Sequence, residues 1–192
     1  SPAEEKPQSQ HLATKDAPGQ FVNLIIENLR KAGVQNTKKN ERMHFDRLEF
    51  YAGTQIHAEG ELTENDGTVR RVAVCIGPEH GTVGSELIKQ AAIEAVQGIG
   101  FDILLVCGFA FDPHVSEEVK HYGRLTVLPV RTNTDLSMGD AVLKKTGAGN
   151  LFMIFGEPDI DITRTEDRKV IVEITGLDIY DPTTGVIRSA SV

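Results

Sequence analysis

The sequence predicts an α/β fold: a mixed sheet with an antiparallel N-terminal meander, a central βαβ unit and a C-terminal β-hairpin. Two observations lead there. Short apolar runs bounded by turn residues recur over 47–77, the pattern of half-buried antiparallel strands. A helical apolar face then separates them from a nearly continuous apolar run at 101–111, the signature of a strand covered on both sheet faces. At 192 residues the chain is long enough for one sizeable core.

Residues 1–20, SPAEEKPQSQHLATKDAPGQ, hold almost no large apolar side chain. They bury too little to offset their ordering entropy and read as a flexible tail or linker, leaving 21–192 as a single α/β accessory domain. A linker at the start and a strand signal at the last residues lead us to expect a piece of a longer chain. From Phe21, the residues Val22, Leu24, Ile25 and Leu29 recur at helical spacing, and Gly33 is a C-terminal stop. Lys38, Lys39 and Arg42 make a short basic loop. Strands are expected at 47–53, 55–62 and 69–77. Between the last two lies Glu64-Asn65-Asp66-Gly67, whose Gly supplies the positive φ of a tight hairpin turn.

Over 78–97, Leu87, Ile88, Ala91, Ala92, Ala95 and Val96 form one apolar helical face. A buried strand at 101–111, a helix at 113–122 and a strand at 124–130 should cross over right-handed into parallel pairing. A shorter helix at 135–145, ending at Gly147, precedes strands at 150–156, 168–181 and 185–192, the last two around the turn Asp-Pro-Thr-Thr-Gly. There is no internal repeat.

Composition narrows the function classes. Hydrophobic residues make up 40% and charged residues 25%, ordinary for a globular protein. No apolar run approaches the roughly 20 residues that span a bilayer. Residues 1–20 lack a signal-peptide core, so a cytoplasmic location is expected. Cys75 and Cys107 sit in apolar runs and read as buried thiols. Two cysteines without His at ligand spacing do not suggest a metal site. The net charge of −8 has the wrong sign for a dedicated nucleic-acid binder. Contact with DNA would come from a local patch, with Lys38, Lys39, Arg42, Arg70 and Arg71 as the candidates. Strand alternation sends Arg70 and Arg71 to opposite faces.

Phe111-Asp112-Pro113-His114 ends the apolar run in a way that invites comparison with the acidic-Pro-Pro-aromatic tetrad of amino-methylating enzymes. That chemistry needs a second Pro and an aromatic to grip a flipped base, where His114 and Val115 stand, and a glycine-rich cofactor loop after a strand. "KTGAGNLF" (145–152) precedes a strand instead. Asp112-Pro113 is therefore read as a helix cap, and no catalytic residue is assigned. The order helix, three antiparallel strands, helix, strand is that of a restriction-endonuclease-like core. A Mg²⁺-dependent nuclease of that kind would use Glu59, Glu61 and Glu79 as metal ligands. The third strand offers no acid-x-Lys, so a degenerate, non-cleaving relative is the alternative form of this reading. "GPEHGTVG" (77–84) puts three glycines before a helix. It reads as a tight strand-to-helix turn, with an anion at the helix start as the competing reading. It lacks the Lys of a nucleotide-hydrolysing loop.

Six blocks carry a further likeness: "IHAEGEL", "RRVAVCIGPEHGTVG", "GFDILLVCGFAFDPHVSEE", "RLTVLPVRTNTDLSMGD", "LKKTGAGNLFMIFGEPD" and "GLDIYDPTTGVIRS". Together, over roughly residues 20 to 192, the chain resembles a C-terminal region of large prokaryotic site-specific DNA methyltransferases, the adenine-specific type III restriction–modification methylases. The resemblance implies a non-catalytic accessory domain for DNA engagement or subunit assembly. It implies no cofactor in this chain and S-adenosylmethionine in the parent protein, whose cofactor loop and tetrad lie upstream. The partners implied are DNA through the parent protein, and a restriction subunit or a second copy of the chain. A pure protein-interaction module that never touches DNA is the third reading.

Overall fold

The computed structural model describes residues 18–36, 41–98, 100–115, 121–137, 151–155, 158–167, 169–181 and 186–191. Its first half runs α1 (Pro18–Ala32), β1 (Val34–Asn36), β2 (Glu41–Met43), β3 (Arg47–Phe50), β4 (Ala58–Thr63), β5 (Val69–Ile76), β6 (Thr82–Val83) and α2 (Ser85–Gln97). Then follow β7 (Ile103–Gly108), β8 (Ala110–Phe111), β9 (His121–Tyr122), β10 (Leu125–Thr132), a 3-10 turn (Thr134–Ser137) and β11 (Phe152–Ile154). The last strands are β12 (Pro158–Arg164), β13 (Val170–Asp181) and β14 (Val186–Ser191).

Among the described residues, nine strands form one mixed sheet in the order β2-β1-β11-β10-β7-β5-β4-β3, with β9 paired to β10. Strands β5, β7 and β10 are parallel neighbours, and β3, β4 and β5 pair antiparallel. β2 and β3 end that order on opposite sides, yet only His44, Phe45 and Asp46 separate them in the chain. Four Cα steps reach about 15 Å at most. The sheet must therefore curl until its two edges nearly meet.

Helix α1 lies along that seam. Arg30 Nε donates to the Leu48 carbonyl of β3 at 2.9 Å, and Arg42 Nη1 of β2 donates to the Ala32 carbonyl at 2.7 Å. Gly33 ends the helix as expected, with φ 67° and its N–H on the Leu29 carbonyl. A Cβ there would meet the Met43 carbonyl, so only glycine permits the close approach of β2. On the concave side Ile25, Ile26 and Leu29 pack against Val72, Val74, Leu105, Cys107 and Val130. On the other face Ile88, Ala91, Ala92 and Ala95 of α2 pack against Ala73, Cys75, Leu104, Val106 and Val127. Alternate residues of β5 and β7 thus serve two cores, which is why the buried stretches of these strands are apolar without alternation.

Several expected elements differ. The apolar helical face read within 78–97 is carried by α2 from Ser85, and Pro78 and the glycines of 77–84 form the turn expected before it, with the two-residue β6 inside it. Of the helix expected over 113–122, Pro113–His114 form a turn, Val115 is in 3-10 conformation, 116–120 lie outside the described residues, and His121–Tyr122 are strand β9 rather than helix. Pairing with Leu125 and Thr126 across Gly123 (φ 62°) satisfies the β9 backbone better than a helix end would. Asp112 still caps locally: its Oδ1 accepts from His114 N at 3.0 Å. Among the described residues the helix-bearing parallel unit is β5-α2-β7, and β7 and β10 pair parallel as expected. Of the helix expected at 135–145, the 3-10 turn is described and 138–150 are not. α1 takes in Pro18, Gly19 and Gln20 from the stretch read as tail. Strands β12, β13 and β14 form a separate antiparallel sheet.

Candidate functional site

The curled sheet leaves its concave face open at one end, beyond α1, in a cleft of about 710 Å³. That volume falls in the range of ligand pockets. Leu62, Ile103 and Leu128 form an apolar floor continuous with the α1-side core. The cleft stands at the N-terminal ends of the parallel strands β5, β7 and β10, opposite the end where open α/β sheets usually bind ligands.

Its walls are charged. Carboxylates of Glu41, Asp46, Glu64, Asp66 and Asp102 surround guanidiniums of Arg42, Arg70 and Arg124. Most are engaged within the fold. Arg70 Nε pairs with Glu64 at 3.3 Å, and Asp46 accepts from Thr63 Oγ1 at 2.7 Å. Glu41 accepts from Asn65 Nδ2 at 3.1 Å, and Asp102 takes the Arg71 N–H at 2.9 Å. Asp66 accepts from the Thr68 N–H at 2.8 Å, and hydrogen bonds from the Thr68 side chain and backbone hold its carboxyl below the usual range.

The structure brings Arg42 and Arg70 into this one cleft. Arg71, one residue on, points to the other face and lies over the Phe101 ring, 5.8 Å from its centroid. Lys38 and Lys39 lie outside the described residues, although Asn36 and Glu41 on either side of that segment line the cleft. Arg124, absent from the basic residues singled out in the sequence, also lines the cleft and stands ahead of β10 as Arg70 stands at the start of β5. Its signal was available: parallel strands bring like ends together.

Glu59 and Glu61 share a face of β4, as alternation requires, but both turn to Arg47 on β3. Arg47 Nη1 reaches Glu59 at 3.3 Å and Glu49 at 3.4 Å, and Nη2 reaches Glu61 at 3.7 Å. The Glu59 hydrogen bond and the surrounding carboxylates raise the Arg47 pKa. Glu79 stands past the end of β5, beside His80 at 3.9 Å. Among the described residues no group of three His, Cys, Asp or Glu side chains is arranged to hold a metal ion.

The glycine loop explains itself by packing. A Cβ on Gly77 would stand 2.5 Å from Val83 Cγ2, and one on Gly108 2.6 Å from the same methyl. Val83, 1% exposed, therefore seats the loop against the sheet only because both strand ends lack side chains. Gly84 precedes the first residue of helix α2 and offers it no side-chain cap. Glu94 of α2 reaches across to hold loop 51–57, accepting from Thr54 N at 3.0 Å and Gln55 N at 2.6 Å.

No family model, curated protein or solved structure matches the chain. Fold and site therefore stand on geometry. Among the described residues no helix is long and apolar enough to cross a membrane.

Proposed function

We propose that this chain is a non-catalytic C-terminal domain of a prokaryotic adenine-specific, site-specific DNA methyltransferase, serving subunit assembly in restriction–modification. The observation that carries the assembly role is on β13. Val170, Ile171 and Val172 are successive β-branched residues exposed by 56%, 53% and 58%. Successive strand residues face opposite sides, so apolar surface is offered on both faces at this end of the small sheet. Contiguous exposed apolar surface marks interaction sites. The methyltransferase context rests on the six sequence blocks, and a cytoplasmic location and S-adenosylmethionine in the parent protein go with it.

The cleft favours a protein partner over DNA phosphates. Among the described residues five carboxylates stand among the three guanidiniums of the cleft, and Arg42 and Arg70 already bond within the fold. Phosphate binding needs net positive charge at the contact. DNA is then engaged through the parent protein, and the direct partner is a restriction subunit or a second copy of the chain. Reconstitution tests this. The wild-type chain should co-migrate with the restriction subunit or self-associate, and the double variant Val170→Lys/Val172→Lys should do neither. A wild-type chain that stays monomeric beside the subunit overturns the assembly role.

The order α1, β3, β4, β5, α2, β7, with its antiparallel and then parallel pairing, supports a second reading: a restriction-endonuclease-like scaffold that no longer cleaves. Arg47 occupies the charge of Glu59 and Glu61, and β5 (VRRVAVCI) carries no acid. Duplex DNA incubated with the chain and Mg²⁺ or Mn²⁺ should stay intact. Nicking that Glu59→Gln abolishes would establish a live nuclease instead.

A further inference from the structure

Loop 51–57 joins β3 to β4 and is gripped from three sides. Tyr51 N donates to the His57 carbonyl at 2.8 Å, closing the hairpin on itself. Glu94 of α2 takes the Thr54 and Gln55 N–H groups. His57 N donates to the Val74 carbonyl at 2.8 Å, and His57 Nδ1 accepts from Ile76 N at 3.0 Å. The last N–H of β5 thus has an imidazole as its acceptor, while the His57 carbonyl serves Tyr51.

An accepting Nδ1 requires the neutral ring with its proton on Nε2. Protonation would set a donor against the Ile76 donor. The surroundings work in both directions. Burial holds the His57 pKa below its usual value, while the Glu94 carboxylate on α2 opposes that shift. On β5, Cys75 stands opposite His57 by extension of the Ala58–Val74 register, and burial pushes its thiol up to about 12, so it brings no charge. Tyr51, in the same loop, meets the Phe101 ring edge-on at 6.3 Å.

We propose that His57 and Glu94 form a proton-sensitive clasp that keeps loop 51–57 on β5 and α2 at neutral pH and releases it on acidification. In the released loop, His57 regains its ordinary pKa of about 6.5. The open state then binds the proton more readily than the closed one. Opening is constant above about pH 6.5, grows up to tenfold per pH unit below it, and levels off once the closed-state pKa is passed.

Hydrogen exchange on the whole chain reads this directly. The protection of the Thr54, Gln55 and Ile76 amides should fall as pH drops below about 6.5, while that of Val106 in β7 stays constant. His57→Asn keeps an acceptor at the δ position without titrating, and its loop protection should not vary over that range. Flat protection in the wild type, or an unchanged slope in His57→Asn, overturns the proposal. A second measurement stands independent of the variant's folding: the imidazole nitrogen shifts of the wild type should report the Nε2–H tautomer and a depressed pKa. A ring that titrates at or above its ordinary value also overturns the clasp.

Discussion

Replacing Gly108 by Ala tests whether the glycines around the 77–84 loop exist for packing. The new Cβ would stand 2.6 Å from Val83 Cγ2 and 3.3 Å from the Phe111 ring, so it has no free direction. Carbon contacts prefer about 3.5–4.0 Å, and an overlap of this kind costs about 1–3 kcal/mol. Val83→Ala alone removes two buried carbons, for a loss of about 2 kcal/mol with its cavity. In the double variant Gly108→Ala/Val83→Ala, the added methyl enters the space that the valine side chain vacates. The loss in the double variant should then fall short of the sum of the two single losses by about 1–2 kcal/mol, the coupling of residues in direct contact. Urea unfolding of the four proteins, with m-values unchanged, measures it. The same cycle with Gly77→Ala should show less rescue, because the Cys107 carbonyl, 3.1 Å from that Cβ, remains in place. Additivity within about 0.5 kcal/mol would refute the packing account, and a melting temperature raised by added inorganic phosphate would favour the anion reading of the loop.

Thr132 is 2% exposed and its Oγ1 has no partner among the described residues, so Thr132→Val should stabilise the fold by about 1 kcal/mol, or about 2–4 °C in melting temperature. A loss of stability would show that the hydroxyl is satisfied. Burial pushes the Cys75 thiol up to about 12 and the Cys107 thiol higher still. Neither should react with a thiol reagent at neutral pH until urea unfolds the chain; labelling of the native protein counts against the two cores as described. Glu94→Ala removes two charge-assisted bonds and should cost about 2–3 kcal/mol, seen as faster exchange at Thr54 and Gln55. Calorimetric titration should show no tight S-adenosylmethionine binding by this chain, and saturable micromolar binding would contradict its non-catalytic role.

Local chemistry was legible in the sequence wherever one residue type determines the geometry. Gly33 stops α1, and Gly67, at φ 85°, closes the turn whose N–H returns to the Glu64 carbonyl. The apolar run of β7 marked a doubly covered strand, and alternation placed Arg70 and Arg71 on opposite faces. Long-range pairing was not legible. β1 and β2 are three residues each: nothing in the sequence marks 34–36 as a strand, and Arg42 of β2 reads as part of the basic loop, yet both strands extend the sheet and, with α1, close its seam. Their strand character comes from partners elsewhere in the chain, so no periodicity announces them. The site follows the same division. Arg42 and Arg70 are visible as basic residues, but their shared cleft, the approach of Arg124 and the capture of Glu59 and Glu61 by Arg47 depend on the curl of the sheet.

The assembly role is tested most directly by sedimentation velocity of the chain over a range of concentrations, alone, with the restriction subunit and with duplex DNA at physiological salt. The account predicts a protein–protein complex that Val170→Lys/Val172→Lys abolishes, and a boundary that DNA leaves unchanged. A chain that stays monomeric with the protein partner yet co-sediments with duplex DNA would contradict it.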